Sequence, residues 1–271
     1  MRTNGIITLT TDFGTTDSYV AIMKGVILGI APQARLVDTT HAINPQNIHH
    51  AAYAIQNFYP YFPAGTVHVV VVDPGVGSER RAVALGTPEA IFVGPDNGIF
   101  TLAWREGLAR WGRASCTAIE LLAPQFWLPR VSNTFHGRDI FAPVAAHLAA
   151  GVPLGELGPA LDAPAEAEIE QPVVGRAGGL TGKIIHTDHF GNCITNITVR
   201  DLEQAGLREQ PSVQIIDQII AGLRSTFADV QPGELVALID CDDRLQLALR
   251  NGNAAQHLGV SIGDIVRVQH T

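Results

Sequence analysis

The chain has few of the residues that mark disulfide-rich, zinc-binding or membrane proteins. Its three cysteines, Cys116, Cys193 and Cys241, are odd in number and form no Cys-x-x-Cys motif, which argues against a disulfide framework and a zinc knuckle. No apolar run reaches the ~18 residues that a membrane span needs. The residues before the strand-like stretch 6–10 leave no signal-peptide core. We therefore expect a protein of the reducing cytoplasm with no membrane partner.

Basic residues are also scarce. Lys and Arg together number 18 against 26 Asp and Glu, which gives a formal net charge of -8 at pH 7. Nucleic-acid-binding domains carry a basic face, so we expect a small-molecule partner and no nucleic acid. The 271 residues, 46% of them hydrophobic and 16% charged, suffice for two globular domains at a typical ~150 residues per domain.

Several familiar catalytic motifs are missing as well. Gly75 and Gly77 are not followed by the third glycine of a dinucleotide fingerprint, and the glycine-rich stretch 178–183 lacks the P-loop spacing. No Gly-x-Ser-x-Gly sequence supplies a serine nucleophile. His49 and His50 would point apart on a helix, so they are not expected to share a metal ion. We expect no cofactor and no metal.

What is present divides the chain into two parts. Residues 1–165 alternate strand-like and helix-like segments, which predicts a layered α/β domain with a mostly parallel sheet. The stretch 166–178 has the composition of a linker, with Ala, Glu, Pro and Gly. Residues 179–271 contain short alternating stretches separated by turns, which predicts a smaller all-β domain, either a barrel or a sandwich.

Two helices of the first part have recognisable starts. One is predicted over residues 18–31, with Asp17 or Thr16 as its N-cap. For the other, Asn44 is predicted as the N-cap and Pro45 as the first helical residue.

The most informative segment runs from Asp73 to Arg80 and follows the apolar run 67–72. A run as apolar as this one indicates a central strand of a parallel sheet. Open α/β folds bind ligands beyond the carboxyl ends of such strands. Glycines at positions 75 and 77 permit a sharp turn, after which Asp73 and Arg80 could form an oriented charge pair. A structural turn with a surface ion pair is the alternative interpretation.

Three further residues are candidates for a site. Asp12 follows the first predicted strand, where a carboxylate can bind the two hydroxyls of a ribose, although an N-cap or Asx turn explains it equally well. Asp17 lies where the first helix needs a cap. His136 is the best candidate for a general base, because an ordinary pKa of about 6.5 suits proton acceptance at neutral pH, although most lone histidines are structural.

Six segments, in order along both parts of the chain, together resemble the S-adenosyl-L-methionine (SAM) hydroxide adenosyltransferases, which are related to the fluorinases and chlorinases. The segments are 11–17, 72–80, 94–98, 134–139, 188–196 and 251–255. The resemblance implies an N-terminal α/β domain, a C-terminal β-barrel, and a homotrimer whose sites lie between the N-terminal domain of one subunit and the C-terminal domain of the next. It also implies the hydrolysis of SAM by water to adenosine and methionine.

The resemblance assigns roles to individual residues. It implies a catalytic triad of Asp73, Arg80 and His136. In the halogenases tyrosines stand at the positions that match Asp73 and His136, so the chain resembles a hydrolase. Two features depart from the fluorinases, since Gln46 replaces a tryptophan and the loop 188–192 is one residue shorter.

The same resemblance implies a set of substrate-binding residues. Asp12 matches the carboxylate that binds the ribose hydroxyls, and Asp17 falls where the methionine ammonium is held. The remaining members match positions around the amino-acid moiety and the adenine, and they are Asp188, Asn192 and Asn253.

The hydrolysis of SAM requires activation of the nucleophile, which is water, and no activation of the leaving group. Attack at the ribose C5′ expels a neutral thioether, so no general acid is needed. In this hypothesis Arg80 stabilises a developing hydroxide, His136 accepts or relays its proton, and Asp73 orients the arginine. A SAM- or nucleoside-binding sensor without turnover is the main alternative, and a halogenase is a third.

Overall fold

The structure, a computed structural model, describes residues 3–175 and 178–270. The chain divides into two compact units, Met1–Glu168 and Ile169–Thr271. This division falls within the stretch 166–178, whose composition predicts a linker. Among the described residues, no helix has the length and apolar character needed to cross a membrane.

The described residues of the first unit form a six-stranded sheet with four α-helices. The sheet order is β2-β1-β3-β5-β4-β6, in which the first four strands are parallel and β4 is antiparallel to both of its neighbours. The strands are β1 (Ile6–Thr11), β2 (Arg35–Thr40), β3 (Thr66–Val71), β4 (Ala82–Gly86), β5 (Ala90–Pro95) and β6 (Thr117–Glu120). The helices are α1 (Tyr19–Ile30), α2 (Ile48–Phe58), α3 (Thr101–Trp111) and α4 (Ala142–Ala149).

The central strand β3 is buried on both faces, as its apolar sequence predicts. Val67 and Val69 pack with α1 and α4 into one hydrophobic cluster, whereas Val70 and Val72 pack with α2 and α3 into another. This alternation follows from the two-residue period of a strand. The layered α/β architecture with a mostly parallel sheet is therefore confirmed.

The predicted N-cap of the first helix is wrong. Helix α1 begins at Tyr19, and its N-cap residue is Ser18, whose side chain makes no capping hydrogen bond. Asp17 and Thr16 lie before it in an exposed loop. Residue preferences identified a capping region but could not choose among three adjacent polar residues.

The predicted start of the second helix is wrong by three residues. Helix α2 begins at Ile48, and the side chain of Asn47 accepts a hydrogen bond from the His50 backbone N–H. Gln46 has a left-handed φ of 64°, so the helix cannot continue back through it to Pro45. Both asparagines suit an N-cap, and only the path of the loop selects Asn47.

The second unit is an antiparallel, nearly closed barrel. Its strands follow the order β11-β10-β14-β8-β9-β13-β12, with β7 paired to β8, and a bridge from Arg224 to Leu238 in β12 joins the two ends. This confirms the barrel over the sandwich. The strands are β7 (Val173–Val174), β8 (Leu180–Thr187), β9 (Cys193–Thr198), β10 (Pro211–Ile215), β11 (Gln218–Ala221), β12 (Leu235–Ile239), β13 (Arg244–Leu249) and β14 (Ile265–His270). Two short helices, α5 (Val199–Gln204) and α6 (Ala254–Leu258), which the sequence patterns did not predict, follow strands of this barrel.

Candidate active site

A pocket of about 360 Å³ lies at the carboxyl edge of the parallel strands in the first unit. Its wall comes from four segments, which lie within residues 12–13, 45–46, 71–76 and 134–137. Two of them directly follow β1 and β3. Parallel strands end at the same edge of a sheet, so segments that are distant in sequence meet there.

The turn after β3 brings Arg80 back onto Asp73. Backbone hydrogen bonds from Val76 to the Asp73 carbonyl (3.2 Å) and from Ser78 to the Gly75 carbonyl (3.1 Å) fold the chain tightly. Gly77 has a φ of 77°, and a Cβ atom there would lie 2.3 Å from the backbone oxygen of Asn133. Only glycine fits this position, so the turn depends on it.

Arg80 joins Asp73 to His136. Its Nε lies 2.9 Å from Oδ1 of Asp73, and its Nη2 lies 2.5 Å from Oδ2 of the same carboxylate. The same Nη2 lies 2.7 Å from Nδ1 of His136. The arginine and aspartate side chains are only 11% and 5% exposed, so this is a buried pair rather than a surface ion pair.

The contact between Arg80 and His136 defines the tautomer of the histidine. A guanidinium has only donor N–H groups, so Nδ1 of His136 must accept the hydrogen bond. In the neutral imidazole the proton then resides on Nε2. Burial, followed by the charge of Arg80, lowers the pKa of His136 below its ordinary value of 6.5, so the ring is neutral at pH 7.

The three side chains have different positions relative to the pocket. Asp73 and His136 line it, whereas Arg80 contacts both of them but is not among the described residues that line the pocket. The guanidinium is also 5.4 Å from the centre of the Phe141 ring. The pocket is therefore lined by a residue with a carboxylate acceptor, Asp73, and by one whose Nε2 carries a proton, His136.

An aromatic cluster forms another part of the pocket wall. Phe13 and Phe135 line the pocket, with ring centres 5.9 Å apart in an edge-to-face arrangement. Tyr19 packs against both, at 5.7 Å and 5.2 Å. Such faces can stack on a planar ring or attract a cation. The sequence patterns assign these aromatic residues no role.

Asp12 holds a neighbouring loop in place. Its Oδ2 accepts a hydrogen bond of 2.8 Å from the backbone N–H of Gln46, the residue with positive φ. The carboxylate therefore bridges the loops after β1 and β2, rather than capping a helix or closing its own Asx turn. Asp12 and Gln46 both line the pocket.

Asp17 is exposed on the loop before α1, and it is not among the described residues that line the pocket. The structure therefore supplies no contact that supports a binding role for this residue.

The other predicted binding residues form a cluster in the second unit. Asp188 Oδ1 accepts hydrogen bonds from the backbone N–H groups of Phe190 (2.9 Å) and Asn192 (2.8 Å), and its Oδ2 accepts one from Asn192 Nδ2 (2.8 Å). Asn253 is the N-cap of α6. A Cβ atom on Gly191 would lie 2.1 Å from the Asn253 side chain, so glycine lets this loop pack against the cap.

The two adjacent histidines have separate partners. His49 Nε2 contacts the Glu168 carbonyl at 3.0 Å, whereas His50 Nδ1 accepts from the backbone N–H of Asn44 at 3.1 Å. In the described part of the chain, no three His, Cys, Asp or Glu side chains group closely enough to hold a metal ion.

Comparisons with known proteins agree over both parts of the chain. Residues 7–158 match the model of the SAM hydroxide adenosyltransferase N-terminal domain, and residues 182–267 match that of the C-terminal domain. A curated (R)-S-adenosyl-L-methionine hydrolase from Salinispora tropica is 39% identical, with 97% of each chain covered. One from Thermus thermophilus is 40% identical, covering 95% of this chain and 96% of its own. A fluorinase from an Actinoplanes species is 32% identical, with 98% and 97% covered.

A solved structure has the same fold over nearly the full length. The crystal structure of an uncharacterized conserved protein from Thermotoga maritima superposes with a TM-score of 0.89 at 34% identity, covering 97% of this chain and all of the other.

Proposed function

This chain belongs to the SAM hydroxide adenosyltransferase family, and we infer that it is an enzyme that hydrolyses SAM to adenosine and L-methionine. The observation that carries this inference is Arg80, which bonds at once to Asp73 and His136 at the pocket edge. A paired acceptor and donor suit a water molecule, which itself donates and accepts.

We propose that water is held between Asp73 and His136. A water hydrogen points to the Asp73 carboxylate, and Nε2–H of His136 donates to the water oxygen. Arg80 keeps both groups in place and supplies positive charge as the oxygen gains hydroxide character. In this arrangement His136 orients the nucleophile, and Asp73 rather than His136 accepts its proton, because the Nδ1 lone pair of His136 is already occupied by Arg80.

The nucleophile attacks C5′ of the ribose, and the bond from C5′ to the sulfonium sulfur breaks. The sulfur leaves with the electron pair as the neutral thioether of methionine, so the leaving group needs no proton. The fixed triad favours approach of the oxygen to within the roughly 3–3.5 Å of a near-attack geometry. The aromatic wall at Phe13 and Phe135 limits competing water and attracts the sulfonium.

We propose the same substrate-binding set that the family resemblance implies. Asp12 binds the ribose diol, and its fixed position against Gln46 supports that role. Asp188, Asn192 and Asn253 bind the amino-acid and adenine groups, and their preformed hydrogen bonds support it. Asp17 is proposed for the methionine ammonium on the resemblance alone.

Further properties are also proposals. We propose a cytoplasmic homotrimer in which a neighbouring subunit supplies the residues of its C-terminal domain to each site. We propose that the reaction uses no cofactor, because a neutral leaving group and a positioned water suffice.

Hydrolysis is favoured over halide transfer by the charges around the triad. A halide needs an available cation or several free donors, whereas the Arg80 charge is already matched by Asp73 within the same buried pair. The carboxylate on the pocket wall also repels an anion.

The test is an assay of the purified protein with SAM in water labelled with oxygen-18. In the relatives' names, the prefix L gives the configuration of the α-carbon, so the prefix (R) gives the configuration of the sulfonium sulfur. The two sulfonium diastereomers of SAM are therefore assayed separately. We expect adenosine labelled in its 5′-hydroxyl, and unlabelled methionine. Chloride, fluoride and EDTA should leave the product unchanged. A 5′-halogenated product would establish a halogenase, and binding without product would establish a sensor.

A further inference from the structure

A buried carboxylate near the triad takes no part in the proposed reaction. Asp139 follows His136 by three residues within the π-helical turn Gly137–Phe141, and its side chain is 0% exposed. A buried charge is stable only when several donors compensate it. The donors that compensate the charge of Asp139 come from the segment that carries His136.

Asp139 closes the catalytic segment on itself. Its Oδ2 accepts hydrogen bonds from the backbone N–H of Ser132 (2.8 Å) and from the Ser132 hydroxyl (2.7 Å). The Ser132 Oγ in turn accepts from the backbone N–H of Phe135 at 3.2 Å. Residues 132–139 therefore form a closed loop in which His136 lies between the two ends of the clamp.

The same residue connects this loop to its surroundings. The Asp139 backbone oxygen accepts from the Leu128 N–H at 2.9 Å, and its Oδ1 accepts from Arg138 Nε at 2.6 Å. The Arg138 guanidinium lies 5.2 Å from the centre of the Phe135 ring, which lines the pocket. One carboxylate thus fixes both the histidine segment and an aromatic wall of the pocket.

We propose that Asp139 and Ser132 are positioning residues that fold the loop 132–139 so that His136 Nδ1 meets Arg80 and Phe135 faces the substrate. The inference rests on the proposed hydrolase function. Neither residue touches the pair of Arg80 and Asp73, so their effect passes through His136 and Phe135.

The main test removes the hydroxyl of the clamp, with its hydrogen bonds to Asp139 and Phe135, by Ser132→Ala. This variant keeps the backbone hydrogen bond to Asp139 but loses the hydroxyl that links Asp139 to the Phe135 N–H. We expect kcat to fall about 10- to 100-fold, the effect of a small misplacement in a preorganised site. Adenosine affinity by calorimetry should change less than threefold, because Asp12 is untouched. Ser132→Thr, which restores a hydroxyl, should recover most of kcat.

A matched control exists in the second unit. Asp201 Oδ2 accepts from the backbone N–H (2.8 Å) and hydroxyl (2.6 Å) of Thr198, which is the same bonding pattern. Thr198→Ala should lower the melting temperature, as loss of a helix cap does, without lowering kcat. If both variants reduce kcat in proportion to their loss of stability, the clamp at Asp139 is only structural.

A spectroscopic measurement tests the position of His136 without turnover. In protein labelled with nitrogen-15 histidine, the wild-type His136 should show a protonated Nε2 and an unprotonated Nδ1, whereas Ser132→Ala should show a mixture of tautomers. Asp139→Asn should do the same, because the amide keeps only one acceptor oxygen, whereas the carboxylate accepts from Ser132 through Oδ2 and from Arg138 Nε through Oδ1. An unchanged His136 spectrum and kcat in Ser132→Ala would overturn the inference. Absence of adenosine formation by the wild type would instead overturn the proposed function.

Discussion

The two parts of the proposed site are built on different physical principles. In the first unit, Asp73 and Arg80 form a buried charge pair that also bonds to His136. Asp139 is a second buried carboxylate, which pairs with Arg138. In the second unit, Asp188 mainly bonds to the backbone of its own loop, and the loop presents Phe190 with 73% of its surface exposed. Buried charges have fixed orientations, whereas an exposed loop can adapt to a ligand.

This difference predicts that the buried charges and the exposed loop act at different steps of the reaction. Preorganised charges act on the transition state and should therefore determine kcat. Exposed apolar and amide groups contribute to ground-state binding and should determine KM. Substitutions at the buried charges and at the ligand-binding groups should therefore separate effects on kcat from effects on KM.

The largest effect is expected for Arg80→Ala. Removal of the guanidinium takes away the charge near the nucleophile and the support of both neighbours, so kcat should fall by about 1,000-fold or more. Arg80→Lys should lose nearly as much, because one ammonium cannot replace the planar fork. Arg81→Ala is the control, since Arg81 pairs with Asp96 at the same sheet edge but is 40% exposed. Equal loss of kcat in both alanine variants would remove the special role of Arg80.

A comparison of His136→Ala with His136→Gln distinguishes orientation from proton acceptance. Alanine should lower kcat by about 100-fold or more. Glutamine can still accept a hydrogen bond from Arg80 and donate one to water, so we expect it to retain at least a tenth of wild-type kcat. His147→Gln, in the buried helix α4, is the control. A glutamine variant as inactive as the alanine variant would indicate that His136 is the base.

Asp12→Ala should weaken binding more than turnover. Loss of two charge-assisted hydrogen bonds, each worth about 1.5–3 kcal/mol, predicts a rise of about 100-fold or more in the dissociation constant for adenosine. Asp38→Ala, which removes an exposed carboxylate paired with Lys24, should not change it. Calorimetry with adenosine provides the measurement. Unchanged affinity in Asp12→Ala would leave Asp12 with its loop-bridging role alone.

A smaller effect, the recovery of activity in a mixture of two poorly active variants, tests the proposed assembly. His136→Ala and Asn192→Ala are each expected to be poorly active. If a neighbouring subunit supplies Asn192, an equal mixture that is dissociated and reassembled should regenerate about a quarter of the sites in wild-type form. Verified subunit exchange without any recovery of activity would show that both residues serve the site of the same chain.

The smallest effect concerns acidity. The lowered pKa of His136 means that the fold favours the neutral ring, so its contribution to stability is complete above pH 6.5 and is lost as the pH falls from 6.5 through the lowered pKa. Wild-type kcat should therefore persist slightly below pH 6.5 and then decline, because a protonated Nδ1 would oppose Arg80. The stability of His136→Gln should depend less on pH in that window. Identical pH profiles for the two proteins would contradict this assignment.

The sequence by itself determined the sheet edge and its principal charges. An apolar run that ends at Val72 must be a buried strand, and the polar residues directly after it must emerge at one edge with those that follow the other parallel strands. The positions of Asp12, Asp73 and Arg80 follow from this rule. The six ordered motifs indicated the family that the comparisons show.

Tertiary structure alone decided the contacts between distant segments. His136 meets Arg80 across 56 positions, and that contact sets its tautomer, which no residue preference encodes. The same holds for Asn47 as the cap in place of Asn44, because the path of the loop selects between two similar side chains. Asp139 resembles a surface residue in sequence, yet the fold buries it completely as a clamp. Local sequence patterns specify which residues follow the buried strands, but the hydrogen-bond partners of those residues depend on how separate segments pack together.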